Sequence, residues 1–185
     1  AGLAEMPDEI PDEVVQAVVR AKNETGIPIV CVNGTYNMLS RDPDVRRQGR
    51  HSFEAIAAVC DDLGCELISV CTGTRSTQSM WVPHPDNNLP DAWSDLLLEM
   101  ELLIQVAERH NVRIGIETEA SNVVNTPEKT RQLLHQLRSD RLRVIMDCAN
   151  LFQAGTARPD LVRPTMERAF ELLGGDVALA HGKDI

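Results

Sequence analysis

The chain has 185 residues, 43% hydrophobic and 25% charged, which is room for one domain with a sizeable core and the composition of an ordinary globular protein. With 28 acidic against 18 basic residues the net charge is −10, so the basic face that nucleic acid requires is missing and that class of partner is set aside. No apolar run approaches the ~20 residues that span a bilayer and no signal-peptide pattern opens the chain, so no membrane partner is expected either.

Helix and strand alternate from one end to the other. Pro11 to Thr25 carries Val14, Val15, Val18 and Val19 at helical steps, and Gly26 stops it. Ile27 to Val32 then reads as a strand ending at Asn33-Gly34. Asp42-Pro43 is an N-cap followed by a first helical position, and Phe53, Ile56, Ala57, Cys60 and Leu63 mark the core face before Gly64. Leu67 to Cys71 is the next strand. Thr74 to Leu89, with Pro83 and Pro85 inside it and Pro90 after it, is too irregular for an element and reads as a long functional loop. Asp91 to His110 is the clearest helix, with Trp93, Leu96, Leu97, Met100, Leu103, Ile104 and Ala107 on one side. A strand to Glu117 follows, then a helix capped by Thr126-Pro127 and carrying Leu133, Leu134 and Leu137, then a strand to Asp147. The last helix is expected to open near Pro164, because a proline in its interior would break it, and to run to Leu173 before Gly174-Gly175. Five strands in unbroken alternation with helices demand a parallel sheet, either open and doubly wound or part of an eight-stranded barrel. No GxGxxG turn follows a strand, which removes the usual reason to prefer a dinucleotide-binding sheet.

Three strands end in metal-liking side chains. Arg113-Ile114-Gly115-Ile116 delivers Glu117, Leu142 to Met146 delivers Asp147, and Val177 to Ala180 delivers His181. They follow one another at about one βαβ unit, so a parallel sheet brings all three to its carboxyl edge. Neighbouring strands lie roughly 4.8 Å apart, close enough for three such side chains to share one ion. Two carboxylates and an imidazole suit Mn²⁺, Mg²⁺ or Co²⁺, and also accommodate Zn²⁺. Other polar groups gather at the same edge. Glu119 shares the side of Glu117, and Asn150 either meets a substrate hydroxyl or caps the next helix. Arg75 is the candidate for a substrate carboxylate or phosphate, with a salt bridge as the plain alternative. Asn37 follows the first strand, Trp81 and His84 lie in the long loop as candidates to cover a sugar-sized ligand, and Lys183 shares the side of His181. Five cysteines (Cys31, Cys60, Cys65, Cys71 and Cys148) lack zinc-ribbon or CxxC spacing; four of them sit in apolar surroundings and read as buried thiols in a reducing cytoplasm, with a reactive thiol as the alternative.

The stretches Gly34-Thr35-Tyr36-Asn37-Met38, Cys71-Thr72-Gly73-Thr74-Arg75, Gly115-Ile116-Glu117-Thr118-Glu119, Met146-Asp147-Cys148-Ala149-Asn150-Leu151 and His181-Gly182-Lys183-Asp184 together resemble the xylose-isomerase-like TIM-barrel family of sugar phosphate isomerases and epimerases. The resemblance implies a (β/α)8 barrel of which residues 1–185 form a single partial domain, about five of eight βα units. It implies Glu117, Asp147 and His181 as ligands of one divalent metal, with Glu117 also a proton-transfer base, and a small sugar or polyol as substrate. The family's fourth ligand, a Glu on the eighth strand, has no counterpart here. Both ends of the chain read as cut, so this length alone is expected to be inactive. Open strand edges would favour self-association into homo-oligomers. Two other outcomes stay open: an inosose-dehydratase-like lyase on the same scaffold, and a sugar-binding barrel without catalysis. An apurinic endonuclease would need more ligands and a basic groove.

Overall fold

The computed structural model describes residues 6–152 and 155–183. Five parallel strands, β1 (Val32–Asn33), β2 (Leu67–Cys71), β3 (Arg113–Glu117), β4 (Leu142–Asp147) and β5 (Val177–His181), stand side by side in sequence order. Helix α1 (Asp12–Thr25) precedes β1, and α2 (Pro43–Leu63), α3 (Pro90–Arg109), α4 (Pro127–Leu137) and α5 (Pro159–Leu173) make the four crossovers. The result is an arc of a (β/α)8 barrel with its helices on the convex side. Among the described residues no helix is long and apolar enough to cross a membrane.

Local chemistry sets the boundaries. The Asp42 side chain accepts the Asp44 N–H at 2.8 Å, and Pro43 occupies a first-turn position that needs no N–H. Thr126 caps α4 through the Lys129 N–H, again with proline next in line. Gly26 and Gly64 close α1 and α2 in the left-handed conformation, which their lack of a Cβ permits. Two expectations are corrected. The first strand is only Val32–Asn33: in its register Cys31 stands opposite Leu67, the first residue of β2, so the residues from Ile27 to Val30 lie beyond the start of that partner. Helix α5 opens at Pro159 and contains Pro164. The missing N–H there leaves the Asp160 carbonyl without its helical donor, but both residues are exposed, so the carbonyl is open to solvent.

Alternation along the strands divides the sheet into two faces. Ile68, Val70, Ile114 and Ile116 point outward into the main core, against Phe53 and Ile56 of α2 and Leu96, Met100 and Leu103 of α3. Val144 and Met146 meet Ala169 and Leu173 of α5. The register puts Cys71, Glu117, Ile145 and Leu179 in one row of the concave face, and Asp147 beside His181 in the row above. A bulge opposite Val144/Ile145 inserts Ala178. Val177 thereby packs outward with the α5 cluster, while His181 still lines the concave side.

Helices α2 and α3 are locked by a half-sequestered ion cluster. Arg50 Nη1 lies 2.7 Å from both carboxylate oxygens of buried Glu99, Arg46 Nε lies 3.1 Å away, and the Tyr36 hydroxyl reaches Glu99 at 3.4 Å. The Tyr36 ring packs directly against Gly49, where an added Cβ would stand 2.1 Å from Cδ2. Gly49→Ala is expected to destabilise the fold by about 1–2 kcal/mol, because steric overpacking against a rigid buried ring exceeds the gain in helix propensity. Urea unfolding followed by circular dichroism checks this, and an unchanged or raised midpoint contradicts the packing argument.

Candidate metal centre

Asp147 is the anchor of the site. It ends β4, is 3% exposed, and accepts the backbone N–H groups of Ala149 at 3.0 Å and Asn150 at 3.3 Å on Oδ1. Its other oxygen, Oδ2, lies 3.5 Å from His181 Nδ1 and 3.0 Å from Lys183 Nζ. Burial pushes this carboxyl upward, but the hydrogen bond and charge of Lys183, with the two backbone donors, outweigh it and hold the group below the ordinary carboxylate range.

Glu117 Oε1 lies 3.7 Å from His181 Nδ1 and accepts the side-chain amide of Asn150. Glu117 stands one row below Asp147 in the sheet, and the extra methylene of glutamate covers part of that step. Burial raises its carboxyl above the usual range; His181 opposes that shift and Asp147 adds to it. One ligand atom from each of Glu117, Asp147 and His181 lies within 4.8 Å of the others. Ligand atoms around an ion at about 2.0–2.2 Å are roughly 3 Å apart when adjacent and 4.2 Å when opposite. The trio therefore fits one divalent ion with small adjustments, and its hard donors match Mn²⁺, Mg²⁺, Co²⁺ or Zn²⁺.

These groups open onto a cleft of about 520 Å³ lined by Trp81, Glu119, Asn150, His181 and Lys183 together with the concave sides of β1 and β2. Glu119 lies on the Glu117 side and accepts the Ser121 N–H. Asn150 does not cap a helix: its amide donates to Glu117 and its oxygen accepts from Lys183. Trp81 is 54% exposed at the rim.

Three expected substrate contacts lie elsewhere. Arg75 is 5% exposed, ion-paired to Asp95 at 2.5 Å and bonded to the Leu39 carbonyl, so it braces the loop after β2 and does not face the cleft. Asn37 Oδ1 accepts the N–H groups of Leu39 and Thr74, tying the first two strand-end loops together. His84 Nδ1 accepts the Asp86 N–H and caps a short 3-10 turn at Pro85–Asn88. Asp184 lies outside the described residues.

Sequence reasoning did not count Asn33, Thr35, Ser69 and Cys71 among the site residues, yet they line the cleft with Glu117 and His181; counting by twos from Cys31 and Leu67 finds them. It also missed two buried amides. Asn87 accepts the Arg75 N–H and donates to the Ser121 carbonyl, while Asn122 accepts the Gly73 N–H at 2.6 Å and donates to the Met80 carbonyl. A lone Asn in a loop carries no local signal for such bracing.

A model of xylose isomerase-like TIM barrels matches residues 3–185. No protein of curated function matches the sequence. Among solved structures, the 3-keto-D-glucoside 4-epimerase of E. coli superposes with a TM-score of 0.73 at 18% identity, covering 93% of this chain and 65% of that one. A xylose isomerase-like TIM-barrel protein from Mycobacterium smegmatis in complex with magnesium gives 0.72 at 10% identity, covering 96% and 58%. The probable 3-DHS dehydratase of Bacillus anthracis gives 0.69 at 14% identity, covering 94% and 57%. The chain thus spans about three fifths of the length of these structures.

All five cysteines are free. Cys60, Cys65 and Cys71 are buried, and Cys31 and Cys148 half-buried. Burial pushes the Cys60 thiol up to about 12 and the Cys71 thiol higher still, the latter with help from Glu117 and Glu119. Since only thiolate reacts, Cys60 and Cys71 are expected to resist iodoacetamide at pH 8 in the native protein and to react in urea. Mass spectrometry of the alkylated peptides reads this, and rapid native labelling of either residue contradicts it.

Proposed function

Because the chain belongs to the xylose isomerase-like TIM-barrel family, we propose that the intact protein is a divalent-metal-dependent isomerase or epimerase of a small sugar, sugar phosphate or polyol. The observation that carries this reading is the mutual approach of Glu117, Asp147 and His181 to within 4.8 Å at the carboxyl edge of a parallel sheet. Asp147 and His181, with Glu117, would hold the ion. When bound there, it supplies a Lewis acid that polarises a carbonyl or hydroxyl and acidifies the neighbouring C–H.

The residues divide the remaining work. Asn150 fixes Oε1 of Glu117, and among the described residues no hydrogen bond engages Oε2, which is the proton acceptor. Burial makes this carboxylate more basic than a solvated one. Glu119, Asn150 and Lys183 are set to meet substrate hydroxyls, and Trp81 to cover the apolar face of a sugar ring at the rim. Arg75, Asn37 and His84 do not line the cleft, so this reading leaves them out of the substrate-contacting set.

A dehydratase on the same site is the second reading, favoured by the structural likeness to a probable 3-DHS dehydratase. Product analysis separates the two: a lyase releases water and leaves an unsaturated or keto product, whereas an isomerase or epimerase conserves mass.

Each of Glu117→Ala, Asp147→Ala and His181→Ala is expected to weaken Mn²⁺ binding by at least roughly tenfold, because each removes one of few ligands. Isothermal titration of the full chain measures it. Unchanged affinity in all three variants would remove the basis of the proposal.

A further inference from the structure

Asp147 offers the cleft only one oxygen. Oδ1 is engaged by the N–H groups of Ala149 and Asn150, so Oδ2 is the atom that must serve a metal ion. That same oxygen is 3.0 Å from Lys183 Nζ and 3.5 Å from His181 Nδ1. Lys183 is further held by the side-chain oxygen of Asn150, whose amide nitrogen holds Glu117. One ammonium is therefore bound directly to one ligand and, through Asn150, to a second. Its side chain remains about half exposed and lines the cleft, so it has room to leave without unfolding its surroundings.

We propose that Lys183 is a built-in competitor of the metal: its ammonium satisfies Asp147 Oδ2 when no ion is bound, and ion entry displaces it into the cleft. This rests on the metal-site reading above and adds an order of assembly to it. An ammonium and a divalent ion on the same carboxylate oxygen repel each other strongly, so loading favours a Lys183 that has moved away. Once displaced, its three N–H donors face the space where a substrate oxygen would lie, so the cleft gains a donor only after the ion is in place. Lys183 is a positioning residue in the empty site and becomes a substrate contact in the loaded one.

The test uses Mn²⁺ alone on the full chain, with two readouts. The first is affinity. Lys183→Met, which keeps the stem and removes the charge, is expected to bind Mn²⁺ about tenfold more tightly, within the range by which groups contacting metal ligands shift affinity. Lys183→Arg keeps the charge and should stay near the wild-type value. The second readout needs no variant: acetylation of the wild-type protein by an amine-directed reagent, resolved at Lys183 by mass spectrometry. Saturating Mn²⁺ is expected to speed labelling of Lys183 several-fold, the reverse of the protection an added ion gives a bystander at a closing site. If Mn²⁺ binds but Lys183 labelling stays constant or falls, or if Lys183→Met binds no more tightly, the competitor role is overturned while the metal-site reading stands. If neither the wild type nor Lys183→Met binds Mn²⁺, the metal-site reading fails and the competitor role with it.

Discussion

A parallel strand must always be re-entered from the same end, and the rest of this structure depends on that constraint. Each return requires a crossover long enough to span the sheet, and helices α2 to α5 meet the requirement on one face. Apolar residues on that face, among them Ile68, Ile114 and Val144, are spent on burying the helices. The opposite face mixes apolar with polar side chains, and Asn33, Ser69, Glu117 and Asp147 stand on it. Direction of travel alone thus gathers polar strand ends at one edge, and fold and site have a common origin.

Holding such an edge in place requires order in the loops above it, where sheet hydrogen bonding has ended. Side-chain amides supply it. Asn37, Asn87 and Asn122 each bond backbone groups of the loop after β2, and Arg75 closes the same region from below through Asp95. Buried polar groups are costly unless satisfied, and the buried amides of Asn87 and Asn122 are satisfied by backbone groups that would otherwise be orphaned. The Glu99 cluster does the same for the pairing of α2 with α3. The exposed ion pairs of α5, such as Arg163 with Glu167, contribute little by comparison.

How much of this was legible in the sequence follows from the range of each interaction. Helix ends marked by Asp42-Pro43, Gly64 and Thr126-Pro127 are written in adjacent residues and could be read. The strand ends that bring Glu117, Asp147 and His181 together could also be read, because the parallel arrangement converts sequence spacing into spatial neighbours. The length of β1 could not, since it depends on where a partner begins some thirty residues later. Arg75 and Asn37 have the chemistry of ligand contacts and also that of loop braces. Only the distant partners Asp95 and Thr74 decide between the two. Pro164 misled because an exposed helix turn tolerates the loss of one donor.

The extra residue at Ala178 separates two demands that a regular strand would couple. In an unbroken alternation Val177 and His181 would occupy the same face, so a side chain suited to packing α5 would stand on the side reserved for chemistry. With the bulge in place, the start of β5 is free to vary with the helix it supports, and its end is free to vary with the ion or substrate it meets. A strand built this way is a modular joint: either half accepts substitution without re-phasing the other, and deleting the single inserted residue would leave a regular strand with Val177 still outward and His181 still inward, whereas straightening the bulge with Ala178 kept would bring the two to the same face.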